Sequence, residues 1–234
     1  MKQSFLTYLS YVLLLAVIIV PATGAESPKG LVYSEQVYDF GHAGIGFKLF
    51  HTYYIANLGK RPVRITNLEV SCDCSTVNKS DSIINPGDTV FFTLQFYTKN
   101  LFGSTTKSFI VFLDDPKLPQ LKFFCLSTIG QWYDDLKPDP ISLFYLPGCK
   151  SKKVSIPNLS FDNISLSIKE QADTTFDIKV LAGEAEKNGT LVLDVIPKND
   201  LKPSTYHSSF SLAIKTGSDG KPLILTIPTK IVRY

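Results

Sequence analysis

Asn85-Pro86-Gly87-Asp88-Thr89-Val90-Phe91-Phe92-Thr93-Leu94-Gln95-Phe96-Tyr97 reads as a turn feeding a β-strand. Pro stiffens the turn, Gly permits positive φ, and Asn and Asp accept backbone hydrogen bonds. From Thr89 onward the apolar period is two, with Val90, Phe92, Leu94 and Phe96 on one face and Thr89, Thr93 and Gln95 on the other. Such a strand is wet on one side and buried on the other.

Working toward the N-terminus, Val37 to Phe40 reads as a short strand, Gly41 to Gly46 as a sharp bend, and Lys48 to Ala56 as a second strand. The turn Asn57-Leu58-Gly59-Lys60-Arg61-Pro62 leads into a strand from Val63 to Val70, with Val63 and Ile65 directed at a core. Working toward the C-terminus, Thr105 to Leu113 and Leu121 to Ile129 are strands separated by Asp114-Asp115-Pro116-Lys117-Leu118-Pro119. About seven strands at this spacing describe an immunoglobulin-like β-sandwich.

Beyond residue 130 the same grammar returns. Strands are expected at Ile141 to Leu146, Lys153 to Ile156, Ile164 to Ile168, Phe176 to Leu181, Thr190 to Val195, Tyr206 to Ile214 and Leu223 to Val232, with a hairpin signal at Asn188-Gly189. The fold class is therefore all-β: two tandem immunoglobulin-like sandwiches over 31–130 and 141–234. Residues 131–140 are expected as a linker, with Trp132 packed between the two sandwiches. The turn motifs of the halves differ, so they read as related modules that have diverged.

Residues 1–25 differ in kind. Lys2 is the sole charge, Tyr8 to Val20 is apolar, and Pro21-Ala22-Thr23-Gly24-Ala25 is small-residue rich, the three-part pattern of a secretory signal peptide cleaved after Ala25 or Gly24. A periplasmic or secreted protein is expected, associated with a membrane only if that segment is retained. The formal charge of +3 falls to +2 on losing Lys2. The one compact basic run, Lys150 to Lys153, is too small for a nucleic-acid face.

With these residues laid out, the first half resembles a secreted bacterial family known as domain of unknown function 1573, related in fold to Hydin-type (ASH) domains. The resemblance rests on Phe40-Gly41 before the bend, Asn57 and Gly59 in the turn, Ile65, the Ser71-Cys72 and Cys74-Ser75-Thr76 cluster, and Pro86-Gly87-Asp88. It spans about 90 residues and departs at Asp73, where the family usually has Gly. It implies a sandwich and an extracytoplasmic role, and brings no established activity.

The four cysteines are Cys72, Cys74, Cys125 and Cys149. An even count in an exported chain suggests disulfides, and three pairings are open. Cys72 and Cys74 share a face but need a local bend to bridge, and Cys125 has Cys149 as an alternative partner. Two thiolates on one face also suit a soft metal, copper or zinc, although a metal usually needs more ligands than Cys72 and Cys74 supply. His42, His51 and His207 form no paired-His motif, and there is no phosphate loop or nucleophile elbow. Asp114-Asp115 and Asp134-Asp135 read as turn caps. No cofactor is called for.

The expected function is a non-enzymatic structural or interaction protein that binds a protein or cell-envelope component. Its contact loops are placed at Asn57 and Gly59 and, next to them, at Cys72, Asp73, Cys74, Ser75 and Thr76. One alternative is a thiol or soft-metal protein using Cys72 and Cys74. Another is a periplasmic chaperone acting by strand addition.

Overall fold

The computed structural model describes residues 30–72, 75–217 and 220–234. The expected leader, and Asp73 and Cys74, lie outside the described residues. Nine strands build the first sandwich: β1 (Leu31–Tyr33), β2 (Val37–Ala43), β3 (Lys48–Asn57), β4 (Val63–Val70), β5 (Ser75–Lys79), β6 (Ile83–Ile84), β7 (Thr89–Tyr97), β8 (Gly103–Leu113) and β9 (Gln120–Ile129). A short 3-10 helix, Asp134–Leu136, opens the second. It continues with β10 (Leu143–Tyr145), β11 (Lys152–Pro157), β12 (Asn163–Gln171), β13 (Phe176–Ala182), β14 (Glu184–Glu186), β15 (Thr190–Pro197), β16 (Ser204–Thr216) and β17 (Leu223–Arg233).

The alternation in β7 has the expected consequence: Val90, Phe92, Leu94 and Phe96 are buried while Phe91 is half exposed. Phe92 joins Tyr53, Phe109 and Phe123 in an aromatic cluster with Tyr53–Phe109 and Phe109–Phe123 centroids 5.2 and 5.0 Å apart. Such ring pairs add about 0.5–1.5 kcal/mol each beyond area burial. A separate cluster around Tyr145, Phe176, Leu193, Phe210 and Ile227 fills the second sandwich. Leu136 belongs to that cluster and Trp132 packs against it. The residues expected as a linker with Trp132 between sandwiches therefore begin the second core.

In the first sandwich the sheet β1-β3-β7-β5 faces β2-β9-β8-β4-β6; in the second, β11-β15-β13 faces the sheet containing β14-β12-β16-β17 and β10. The two larger sheets are one. Strand β2 pairs with β17 in parallel through Leu225 and His42, giving a ten-stranded sheet that runs through both sandwiches. Gly41 makes this possible. Its φ is 62°, and an added Cβ would fall on the Ile224 carbonyl of β17. The bend expected at Gly41 to Gly46 is thus partly a bulge within β2, between Asp39 and His42.

The sandwiches are also copies of each other, at a constant shift of 101 residues (57 to 158). Asn57 Nδ2 donates to the Ile84 carbonyl, and Asn158 Nδ2 to that of Ala185. The backbone N–H of Asn57 reaches Asp88 O at 2.9 Å, and that of Asn158 reaches Gly189 O at 2.9 Å. Ile65 to Ser82 becomes Leu166 to Gly183, and Ser71 to Ser108 becomes Ala172 to Ser209. Gly87 and Asn188, equivalent under the shift, both have positive φ.

Candidate functional site

The two expected contact loops sit at opposite ends of the first sandwich. Strand β4 separates them: the Asn57–Pro62 turn precedes Val63 and Cys72 follows Val70. At about 3.3 Å per residue those eight residues hold the loops roughly 25 Å apart, which corrects the expectation of adjacency. Asn57 is buried, and its carboxamide is used up by the turn. It donates to Arg61 O and Ile84 O at 2.8 Å each and accepts from Gly59 N at 2.9 Å. Leu58, Lys60, Arg61 and Pro62 face outward instead, and Lys60, Arg61 and Pro62 line a groove of about 630 Å³ with Asp114 to Lys117. Asp114 and Asp115 cap backbone N–H groups of Arg64 and Lys117, as their turn setting predicts.

Ser75 and Thr76 are strand residues, not loop residues. Ser75 pairs with Phe96 on β7 and is buried. Cys72 is disulfide-bonded, with its Sγ 3.6 Å from Ser75 Oγ. Cys125 and Cys149 are free thiols, so the alternative bridge between them is not formed. Burial pushes the Cys125 thiol up to about 12, which keeps it neutral. Among the described residues, no group of three His, Cys, Asp or Glu side chains is arranged to hold a metal ion. A thiolate site using Cys72 would first require its bridge to be reduced.

Among the described residues, a polar constellation lies where the sandwiches meet. His51 on β3 places Nδ1 2.7 Å from Glu170 on β12, and its ring stacks on Tyr38 with centroids 3.7 Å apart. Lys169 lies 3.8 Å above the other side of that arrangement, on the Tyr38 ring, and donates to Asp39 O at 2.7 Å. Desolvation lowers the Lys169 pKa, opposed by Glu35, Asp39 and Glu170. Beside it, Thr226 donates to Phe40 O at 2.6 Å and shares a 2.7 Å hydroxyl contact with Ser211. Ser209 Oγ accepts from Phe50 N at 3.0 Å.

This constellation is a clamp. It contains charged groups and hydroxyls that bond to one another or to the backbone across the joint between the sandwiches, while the buried Tyr38 hydroxyl and His51 Nε2 have no hydrogen-bond partner. Sequence reading missed it because Ser209, Ser211 and Thr226 resemble ordinary wet-face residues. All three are at most 2% exposed. The available signal was the polar run Ser208-Ser209 within an apolar strand.

Residues 31–124 match the family model described as Protein of unknown function (DUF1573). The resemblance read from Phe40-Gly41, Asn57, Gly59 and Pro86-Gly87-Asp88 is borne out over this stretch. No curated protein matches the sequence. Among solved structures, the chain is similar to the secreted serine protease VesC from Vibrio cholerae at 13% identity and a TM-score of 0.40, covering 73% of this chain and 47% of that one. The chain thus spans about half the length of that protein. It is also similar to the ASH/PapD-like domain of human CEP192, at 11% identity and a TM-score of 0.35, covering 57% of this chain and 99% of that one. The YadV chaperone gives 14% identity and a TM-score of 0.34, covering 85% and 99%. Among the described residues, no helix is long and apolar enough to cross a membrane.

Proposed function

We propose that the protein is an exported, non-enzymatic binding protein that takes an extended segment of a protein or cell-envelope partner onto a free strand edge of the second sandwich. The observation that carries this is β13. It terminates the sheet β11-β15-β13, and Val180 and Leu181 on it are 41% and 45% exposed. Across the same side of the sandwich, Ile168 on β12 is 40% exposed and β14 covers only Asn163 to Ser165 of that strand. An unpaired edge offers a row of backbone donors and acceptors, and flanking apolar side chains add selectivity. Buried Asn57 and Ser75 make the loops of the first sandwich poorer candidates. The signal-peptide pattern supports placement outside the cytoplasm.

Photo-crosslinking in intact cells tests the reading, with a photoreactive residue at Val180 or, separately, at Leu58. A defined adduct from position 180 that disappears on Leu181→Asp is the expected result. Adducts from position 58 alone would move the contact to the first sandwich and overturn it.

A further inference from the structure

A cavity of about 400 Å³ opens between the sandwiches beside the clamp, where its lining residue Pro228 is the register partner of Ser209, and no residue of β13 lines it. Each wall carries a basic and an aromatic side chain on neighbouring strands. On the first sandwich, Lys48 of β3 is the register partner of Tyr97 of β7, with Phe47 just before it. On the second, Lys230 of β17 is the register partner of both His207 on β16 and Phe144 on β10. The Lys230 ammonium lies 5.4 Å from the Phe144 ring centroid.

The cavity has no acidic residue in its lining. Among the described residues, Lys48, His207 and Lys230 have no ion-pair partner. Positive groups from both sandwiches therefore converge on a recess walled by three rings. Partial burial, followed by Lys48 and Lys230, holds His207 below its ordinary pKa, which is the response of an imidazole facing two ammonium groups.

We propose that this cleft binds an amphiphilic carboxylate, with the carboxylate between Lys48 and Lys230 and an aromatic or aliphatic body against Phe47, Tyr97 and Phe144. The volume lies at the small end of ligand pockets, which suits a free acid or the last residue of a peptide. A single negative charge fits better than a phosphate dianion, because the ring-lined walls penalise desolvating a second charge. The ammonium groups supply charge-assisted hydrogen bonds and the rings supply apolar contact. By neutralising groups on both walls, the ligand would also hold the two sandwiches together.

Titration calorimetry on the whole protein tests this with four probes: 3-phenylpropionate, 3-phenylpropanamide, a blocked tetrapeptide ending in phenylalanine with a free carboxylate, and inorganic phosphate. The expected result is binding of an acid, with the amide weaker by about tenfold or more, the loss of one charge-assisted contact. Lys48→Gln and Lys230→Gln should each weaken the acid about tenfold while leaving the thermal unfolding midpoint unchanged. The His207 ring resonances should titrate at higher pH when the acid is bound. Tighter binding of the tetrapeptide assigns a chain terminus as the source, and tighter binding of 3-phenylpropionate assigns a free acid. Equal binding of acid and amide, phosphate binding as tight as the acid, unaltered affinity in both lysine variants, or no binding by any probe would each overturn the proposal.

Discussion

Asn57 and Asn158 show how one carboxamide organises an end of a sandwich. Each is buried, and each ties its own turn to a strand 27 positions later. Replacing either by Ala strands backbone carbonyls and an N–H without partners, so Asn57→Ala and Asn158→Ala should each cost about 2 kcal/mol, measured by urea unfolding. The free thiols differ for equally local reasons. Cys125 is 1% exposed with its thiol pKa raised by burial, whereas Cys149 is partly open. Native alkylation followed by mass spectrometry should label Cys149 and spare Cys125. Because the folded Cys125 pKa lies above its unfolded value, its contribution to stability is present below about pH 9 and is lost as pH rises toward 12. His207 has the opposite sign. Its folded pKa lies below 6.5, so the unfolded chain binds more protons in that range and stability rises with pH up to about 6.5. His207→Gln should flatten that part of a stability-against-pH curve.

At the scale of elements, the joint between β2 and β17 depends on one residue without a side chain. Gly41→Ala introduces a positive-φ penalty and a clash with the Ile224 backbone, together about 3 kcal/mol. Small-angle scattering should show the two halves swinging apart in that variant. Glu170→Ala should cost about 1–3 kcal/mol by leaving His51 without its carboxylate partner, and a double-mutant cycle with His51→Ala should recover most of it. The strands that sequence reading located are those with clear alternation: β7, β8 and β9 begin or end within two residues of expectation. Strand β5 was taken for loop because it carries Ser75, Thr76, Asn78 and Lys79, and only pairing with β7 makes that segment extended. The clamp was illegible for a related reason. Ser209, Ser211 and Thr226 have the residue types of a solvated face, and what buries them is another part of the chain.

For the whole molecule, the duplication persists in backbone geometry after it has faded from side chains. Pro86-Gly87-Asp88 and Lys187-Asn188-Gly189 share little as letters, yet Gly87 and Asn188 both take positive φ and both donate to the equivalent buried Asn carbonyl. That is why the turn motifs of the halves read as unrelated while the overall class remained legible. The first copy retains the family match, and the second supplies the Lys169, Glu170, Ser209 and Thr226 side of the clamp and the free β13 edge. The joint also sets a timetable for synthesis. Phe40 and Thr226, which meet across it, are 186 positions apart. At typical translation rates, roughly 10–40 s separate the emergence of one from the other. Throughout that interval the nascent first half presents a strand border that only the late-arriving residues will cover. Until they arrive, the unpaired β2 border is a template for strand pairing with other chains, so pausing synthesis between the two halves should raise aggregation, measured by pelleting of ribosome-bound chains.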